Sequence, residues 1–347
     1  MLLNYSFGEN EPENISNVYD LNGNKISAST ADSMISRLYD AENRVYEKEQ
    51  DTYGVITYQY DITAGLPSGE VAEIATHPDN TVVKKVFDKN NRLSKVYYNN
   101  TLEATYEYYI SGQTKSLTYA NGVKISYLYQ KDGQLKEMVT AKGSTEIYNF
   151  TYEYDKSKNL IKKDENGEKS YAYDAKNRLT RETEADEVKN IYEYDDRDNR
   201  IKQYTDDFSI FDAQTDTTYS YDKLNRLTAL VSGSDTQTYS YNAENYRIRK
   251  NSTFYAYEYD KPIAEYVLSS TGTPEITAFN LFGTNLISRI MGGQKYYYLY
   301  NSHGDVIALT DTNGDVVSTY EYDSWGAITA KTGDISNPFR YAGYVYD

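Results

Sequence analysis

The chain has no cysteine, only 2 histidines, 1 tryptophan and 6 prolines among its 347 residues. Without thiols there is neither a disulfide framework nor a thiolate zinc site, and the redox compartment stays open. No apolar run approaches the length of a membrane span, so no span is expected, and Met1-Leu2-Leu3-Asn4-Tyr5 does not read as a signal peptide. Export, if it occurs, is expected to use another route, or the segment is cut from a longer chain. A Gly-x-Ser-x-Gly elbow, a phosphate-cradling Gly-Lys-Ser/Thr loop and a Cys nucleophile are all missing. The formal net charge of -16 argues against tracking of nucleic-acid phosphates and against anionic lipid, and fits a basic partner better.

What the chain does have is tyrosine, 41 residues against 9 phenylalanines, at a mean hydropathy of -0.77. Tyrosine buries a ring and keeps its hydroxyl wet or hydrogen-bonded, which suits a thin sheet with a polar face. The phrase Tyr171-Ala-Tyr-Asp-Ala-Lys-Asn-Arg-Leu179 shows how it is used. Tyrosines two apart share one face of a strand. Asp174 suits the first position of a type I turn, its carboxylate accepting from amides two or three residues on. Asn177 is replaced by Gly23, Gly133 or Gly326 in variant copies, and Asn/Gly alternation is what a left-handed residue selects. Leu179 then starts the returning strand, so the phrase predicts strand, turn, strand.

Copies recur from Tyr19-Asp20 through Tyr39-Asp40, Tyr60-Asp61, Phe87-Asp88, Tyr154-Asp155, Tyr194-Asp195, Tyr221-Asp222 and Tyr259-Asp260 to Tyr322-Asp323. A spacing of roughly 20 residues makes room for two strands and two turns, one hairpin per copy. Asn225 repeats the role of Asn177 beside Asp222, and Asn199-Arg200-Ile201 reads as a loop one residue longer. Asn121-Gly122 and Asn166-Gly167 mark second, two-residue turns between copies. The expectation is an all-β chain, tandem antiparallel β-hairpins forming one continuous, curved or spiralling sheet. The array is expected over residues 1-294, with irregular excursions near 61-80 and 261-293, and at most a short turn of helix between Ile15 and Tyr39. A separate closing segment is expected over 295-347.

That segment carries His303-Gly304-Asp305, Leu309-Thr310-Asp311, Asn313-Gly314-Asp315-Val316-Val317, Tyr320-Glu-Tyr-Asp323-Ser-Trp325-Gly326 and Asn337-Pro338-Phe-Arg340-Tyr341-Ala-Gly343-Tyr344. With the repeats, these elements resemble the core signature of the YD-repeat, or Rhs-repeat, proteins, which include wall-associated polymorphic toxins, toxin-complex C components and teneurin shells. The resemblance implies a hollow β-shell closed at one end by the signature and holding a C-terminal toxin domain, in an exported protein found outside the cell or on its surface. It also implies that the family's later self-cleavage site is not carried here, so neither self-cleavage nor toxin activity is expected of this chain. Open sheet edges would then favour self-association.

Each candidate for chemistry has a plainer reading. His303, beside Asp305 and Asp311, lacks a second imidazole or thiolate and reads as a turn organiser; His77 before Pro78 reads as less. Asp311 to Asp315 imitates the start of a calcium loop, but the sixth and twelfth positions hold Val316 and Tyr322 in place of Gly and Glu. Asp206-Asp207 and Glu184 to Glu187 read as solvated loop charges. No cofactor, metal or catalytic residue is expected. Asp174, Asn177, Asp222, Asn225 and Gly326 are turn positions; His303, Asp305, Asp311, Gly314, Asp323, Trp325, Pro338, Arg340, Tyr341 and Gly343 are signature positions. The reading is a non-catalytic shell segment of a polymorphic toxin, the alternative a surface adhesin binding glycans through its tyrosine face.

Overall fold

The computed structural model describes residues 1-6, 14-204 and 217-346; the pair Asp206-Asp207 lies outside them. Among these residues the regular structure is 31 strands and one short 3-10 turn. The strands make two antiparallel sheets, of 19 and 12 strands, and the chain is all-β. Neighbours in sequence are neighbours in the sheet. Ile15–Tyr19, Lys25–Ser29, Met34–Tyr39 and Val45–Gln50 pair one after another, so the stretch in which a turn of helix was expected is a run of hairpins. Its Ser, Thr and Asn disfavour helix, and its tyrosines face neighbours across the strands.

One turn generates the sheet. In it the first N–H donates to the fifth carbonyl and the fourth N–H to the first, as in Asp174 to Arg178 and Asn177 to Asp174, both 3.0 Å. The fourth residue is left-handed, with φ of 61° at Asn177, 60° at Asn225 and 92° at Gly326. Tyr173 pairs with Leu179 but Ala172 with Arg181, so Thr180 is an extra residue. That bulge increases the local twist and recurs in hairpin after hairpin.

The same turn also forms where no acidic residue opens it, at His77–Thr81, Tyr109–Gln113 and Ser269–Thr273, each with Asn or Gly fourth. The loop after Asp195 is no longer than the others. Asp198 takes the left-handed position, φ 68°, and Asn199 stands where Arg178 stands, because Asp tolerates that backbone nearly as well as Asn.

The stretch 261-293, expected to be irregular, is three paired strands, Lys261–Leu268, Pro274–Phe282 and Leu286–Met291. Pro274 opens its strand, where a missing N–H does least harm, and bulges at Glu265/Tyr266 and Leu281/Phe282 break the alternation that a reader would look for. Within 61-80 only the turns at Thr63–Leu66 and Pro67–Glu70 depart from the sheet before Val71–Thr76 resumes it.

The chain divides into two compact units, Met1–Ala104 with Gln214–Tyr296, and Thr105–Ala213 with Tyr297–Asp347. Each is a two-layer packing of sheet on sheet. In the first unit Tyr53 packs on Tyr266 at 5.4 Å and Phe279 meets His77 at 5.1 Å and Tyr98 at 5.4 Å, around buried Ile56, Val96, Ala256 and Leu281. In the second, Tyr119 lies 5.5 Å from Tyr297 and donates its hydroxyl to the Tyr298 carbonyl at 2.8 Å, near buried Val123, Ile125, Phe150 and Leu309. Aromatic pairs of this kind contribute about 0.5–1.5 kcal/mol each beyond the area they bury.

Candidate functional site

The recurrent tyrosine has a partner that its sequence position does not announce. The Tyr194 hydroxyl donates to the carbonyl of Leu179, 2.7 Å away, the first residue of the returning strand in the preceding hairpin. Tyr39 does the same to Lys25, Tyr60 to Val45, Tyr173 to Leu160, Tyr241 to Leu227, Tyr257 to Arg247 and Tyr322 to Val306. The carbonyl sits beside the bulge, where the ladder leaves it short of a donor. Phenylalanine would fill the space and leave that carbonyl unsatisfied, which accounts for the excess of tyrosine.

Arginine completes the staple. Asp174 accepts the amides of Lys176 and Arg178 on Oδ1, two and four residues on, and the Arg178 guanidinium on Oδ2 at 2.7 Å. The Arg178 amide, then its guanidinium against the opposing effect of burial, hold the Asp174 carboxyl below the usual range. The outer face of Arg178 lies 4.8 Å from the Tyr194 ring centroid, and its Nη1 reaches Asp198 at 2.7 Å in the next turn. Arg44 is related in the same way to Asp40 and Tyr60, and Arg226 to Asp222 and Tyr241. One side chain thus closes its own turn and grips the following hairpin. Sequence reading had marked the arginine only as part of the phrase; the signal for its role is its fixed place four residues after the aspartate.

The signature positions form a dock for the C-terminal segment. Asn301 caps its turn by accepting the amides of His303 and Asp305, and its side chain donates to Asp305 at 2.8 Å. Asp305, buried, accepts His303 Nδ1 at 2.8 Å and the Ala342 amide at 2.8 Å on the same oxygen, so turn and segment share one carboxylate. The His303 ring lies 5.0 Å from that of Tyr341, which spreads over Gly326 so closely that a Cβ there would sit 2.7 Å from the ring. Arg340 is buried with its guanidinium 4.2 Å from the Tyr320 centroid, its carbonyl accepts from the Val306 amide, and the turn Arg340–Tyr344 has Gly343 at φ 71°. The Pro338 carbonyl accepts from Tyr346, and Asn337 ties Phe339 to the Tyr298 hydroxyl.

The remaining signature positions fasten this dock to the facing layer of the second unit. Asp311 and Asp323 cap their turns, and Gly314 leaves room for the Asn121 carbonyl, 3.1 Å from where a Cβ would be. The Arg200 guanidinium lies 3.8 Å from the Trp325 ring centroid, and the Tyr192 ring meets Trp325 edge-on at 5.6 Å. Buried Glu182 accepts from Ser324, Asn190 and Tyr192, and burial, then the Glu182 charge, push the Tyr192 phenol up to about 12.

Chemically this is a set of satisfied structural groups. His303 has a carboxylate partner, yet among the described residues no hydrogen bond joins its other nitrogen to a nucleophile. Both Asp311 oxygens serve its own turn, Glu187 pairs with Lys189 at 2.9 Å, and no group of three or more His, Asp or Glu among the described residues is placed to hold a metal. His77 is buried between Tyr53 and Phe279, and burial lowers its pKa.

The family model RHS Repeat matches residues 154–189 and 300–334. The chain is 35% identical over 140 residues to the tRNA3(Ser)-specific nuclease WapA of Bacillus spizizenii and 33% identical to the tRNA nuclease WapA of Bacillus subtilis, in each case over 38% of this chain and 6% of the relative. This chain therefore matches only a small part of those proteins. Its fold is similar to that of the TcdB2-TccC3 chain solved with Cdc42, with a TM-score of 0.63 at 15% identity over 96% of this chain and 26% of that one. It is also similar to the Photorhabdus luminescens Tc holotoxin pore, with a TM-score of 0.63 at 14% identity over 95% and 25%. Two stretches of the chain thus match the RHS Repeat model, part of it is similar to WapA proteins, and its fold is similar to that of the TcdB2-TccC3 chains.

Proposed function

We propose that the chain is a section of the wall of a toxin-enclosing β-shell, without catalysis of its own, in an exported or surface-displayed protein. The observation that supports this most is the staple: Tyr, Asp and Arg tie each hairpin to the next, which makes a long sheet rather than a site. Two clefts of the first unit measure about 40 and 50 Å³, far too small for a folded payload. Enclosure on this reading belongs to a longer wall, with the array through residue 294 as its body and residues 295-347 as its closing piece. The payload would be a C-terminal toxin domain, and a basic one suits the charge of -16.

The glycan-binding alternative has less support. Tyr60, Tyr194 and Tyr241, rings that could stack on sugars, already carry Arg44, Arg178 and Arg226 on one face, and their hydroxyls are committed to backbone carbonyls.

The test uses the complete polypeptide that carries this sequence. Limited proteolysis should spare its C-terminal region while the shell is folded, and this chain alone should leave a tRNA pool intact. Cleavage of tRNA by the chain alone would refute the non-catalytic reading. A C-terminal region digested as fast in the folded protein as in urea would refute enclosure.

A further inference from the structure

A cleft in the first unit has the make-up of a binding site rather than of a wall. It is lined by Tyr58 and Tyr60 from the strand Gly54–Ile62, Glu73 from Val71–Thr76, Lys85 from Val82–Phe87, and Glu258 and Tyr259 from the turn that joins Thr253–Glu258 to Lys261–Leu268. Glu73 and Lys85 are directly opposed across two strands, and Lys85 reaches across the layers to Glu258 at 3.3 Å, so all three face the same space.

The turn that brings Tyr259 to the cleft is held in an unfavourable backbone. The equivalent first position of other two-residue turns holds small or turn-favouring residues, Gly143 and Gly233 at φ 59° and 60°, Asn251 at 52° and Ala185 at 49°. Here it is a tyrosine at φ 55°, with 73% of its surface exposed. A bulky aromatic residue at positive φ is strained, and with most of its surface in solvent its ring gains little from burial in return. Such an outlier beside a cleft points to a role for the ring itself.

The charges and the size select the occupant. Glu258 has Lys85; Glu73, opposite Lys85 in the neighbouring strand, has no ion-pair partner among the described residues, and Asp61 and Glu258 add negative charge around it. Burial holds the Glu73 carboxyl above its ordinary range despite Lys85, so a further cation would be welcome there. The cavity is about 40 Å³. Since one water needs about 10–15 Å³, there is room for about three to four non-hydrogen atoms, which suits an ammonium or guanidinium head and is too small for a sugar ring. Phenol rings around a carboxylate attract such a head through both cation–π and ionic terms.

We propose that Tyr58, Tyr60, Tyr259 and Glu73 form a receptacle for one cationic side chain, the lysine or arginine of a basic protein segment. The pocket stands independently of the shell reading: any segment presenting such a side chain satisfies it.

The test places a single fluorotyrosine at position 259 in the full chain and follows its fluorine resonance during titration with n-butylammonium or N-propylguanidinium at constant ionic strength. Both should give saturable shifts, while n-pentanol, N-propylurea and N-acetylglucosamine give less than a tenth of the response. Glu73→Gln should weaken butylammonium binding at least fivefold in calorimetry. Tyr259→Gly should weaken it at least tenfold while the melting temperature holds or rises, because glycine relieves the backbone. Equal response to the neutral isosteres, absence of saturation, or binding unchanged in Glu73→Gln would overturn the proposal; so would preferential binding of the sugar.

Discussion

Arg178 and Tyr194 belong to successive hairpins and are bound as one piece: the guanidinium that closes the Asp174 turn lies on the ring whose hydroxyl caps the Leu179 carbonyl. The two interactions share a ring, so they should couple. Tyr194→Phe removes only the hydroxyl and should cost about 1 kcal/mol, the usual net value of a buried hydrogen bond plus an unpaired carbonyl. Arg178→Ala should cost about as much, and in urea melts the double variant should show a coupling of roughly 0.5–1 kcal/mol. Simple additivity would mean that the staple is two unrelated contacts.

The left-handed turn positions should rank by what surrounds them. Asn177→Val places a β-branched residue at φ 61° and should destabilise by about 1–2 kcal/mol, whereas Asn177→Gly should be nearly neutral. Gly112→Ala meets open space and should show backbone strain alone. Gly326→Ala adds a collision with the Tyr341 ring and should be the worst of the four, loosening the C-terminal dock. Equal melting temperatures for Gly112→Ala and Gly326→Ala would dismiss the docking role of that ring.

The hairpins were legible because their information is local. Asp174, Asn177 and Leu179 lie within six residues and specify turn, left-handed corner and returning strand, and the C-terminal signature was readable for the same reason. Contacts between layers were not legible. Gln50 accepts the Tyr257 amide on Oε1 and donates to the Tyr257 carbonyl through Nε2, both 2.9 Å, imitating a paired strand across 207 residues. No spacing rule encodes that pair. The strands of 261-293 escaped notice because bulges shift the alternation by one residue at Glu265 and again at Leu281. The cleft around Tyr259 was hidden too, since Tyr259-Asp260 reads as another copy of the phrase while its backbone differs.

Stability should rise with pH in two steps. Lys48 is buried against the Tyr257 carbonyl at 2.7 Å, and burial, then Arg37, lower its pKa to about 8. The unfolded chain holds that proton up to about pH 10.4, so between about pH 8 and the onset of tyrosine ionisation near 10 the unfolded state binds more protons and the fold gains stability. His77, lowered by burial, acts in the same sense at lower pH: its contribution is present above about 6.5 and is lost as pH falls below it. Lys48→Met should remove the upper step and stabilise the fold at pH 7 by up to about 3 kcal/mol, Gln50 still serving the carbonyl. A melting temperature flat from pH 7 to 9.5 in the unmodified protein would count against a depressed Lys48.

Buried charge is the less forgiving part of the interior. Arg289, 4% exposed, makes a two-pronged pair with Glu265 at 2.8 and 2.7 Å and a third bond to Asn280 at 2.8 Å. Taking two ions out of water costs several kcal/mol each, which their mutual attraction only about offsets, so the pair as a whole should contribute little. Removing one member is a different matter. Glu265→Ala leaves a guanidinium buried with only an amide for company and should cost about 3–5 kcal/mol, several times the effect of Tyr194→Phe. The double variant Glu265→Leu with Arg289→Met should recover most of that loss. Thermal melts of the three proteins decide the matter: a double variant as unstable as Glu265→Ala would mean that the ion pair itself, and not the penalty of an orphaned charge, holds the strands Lys261–Leu268 and Leu286–Met291 in place.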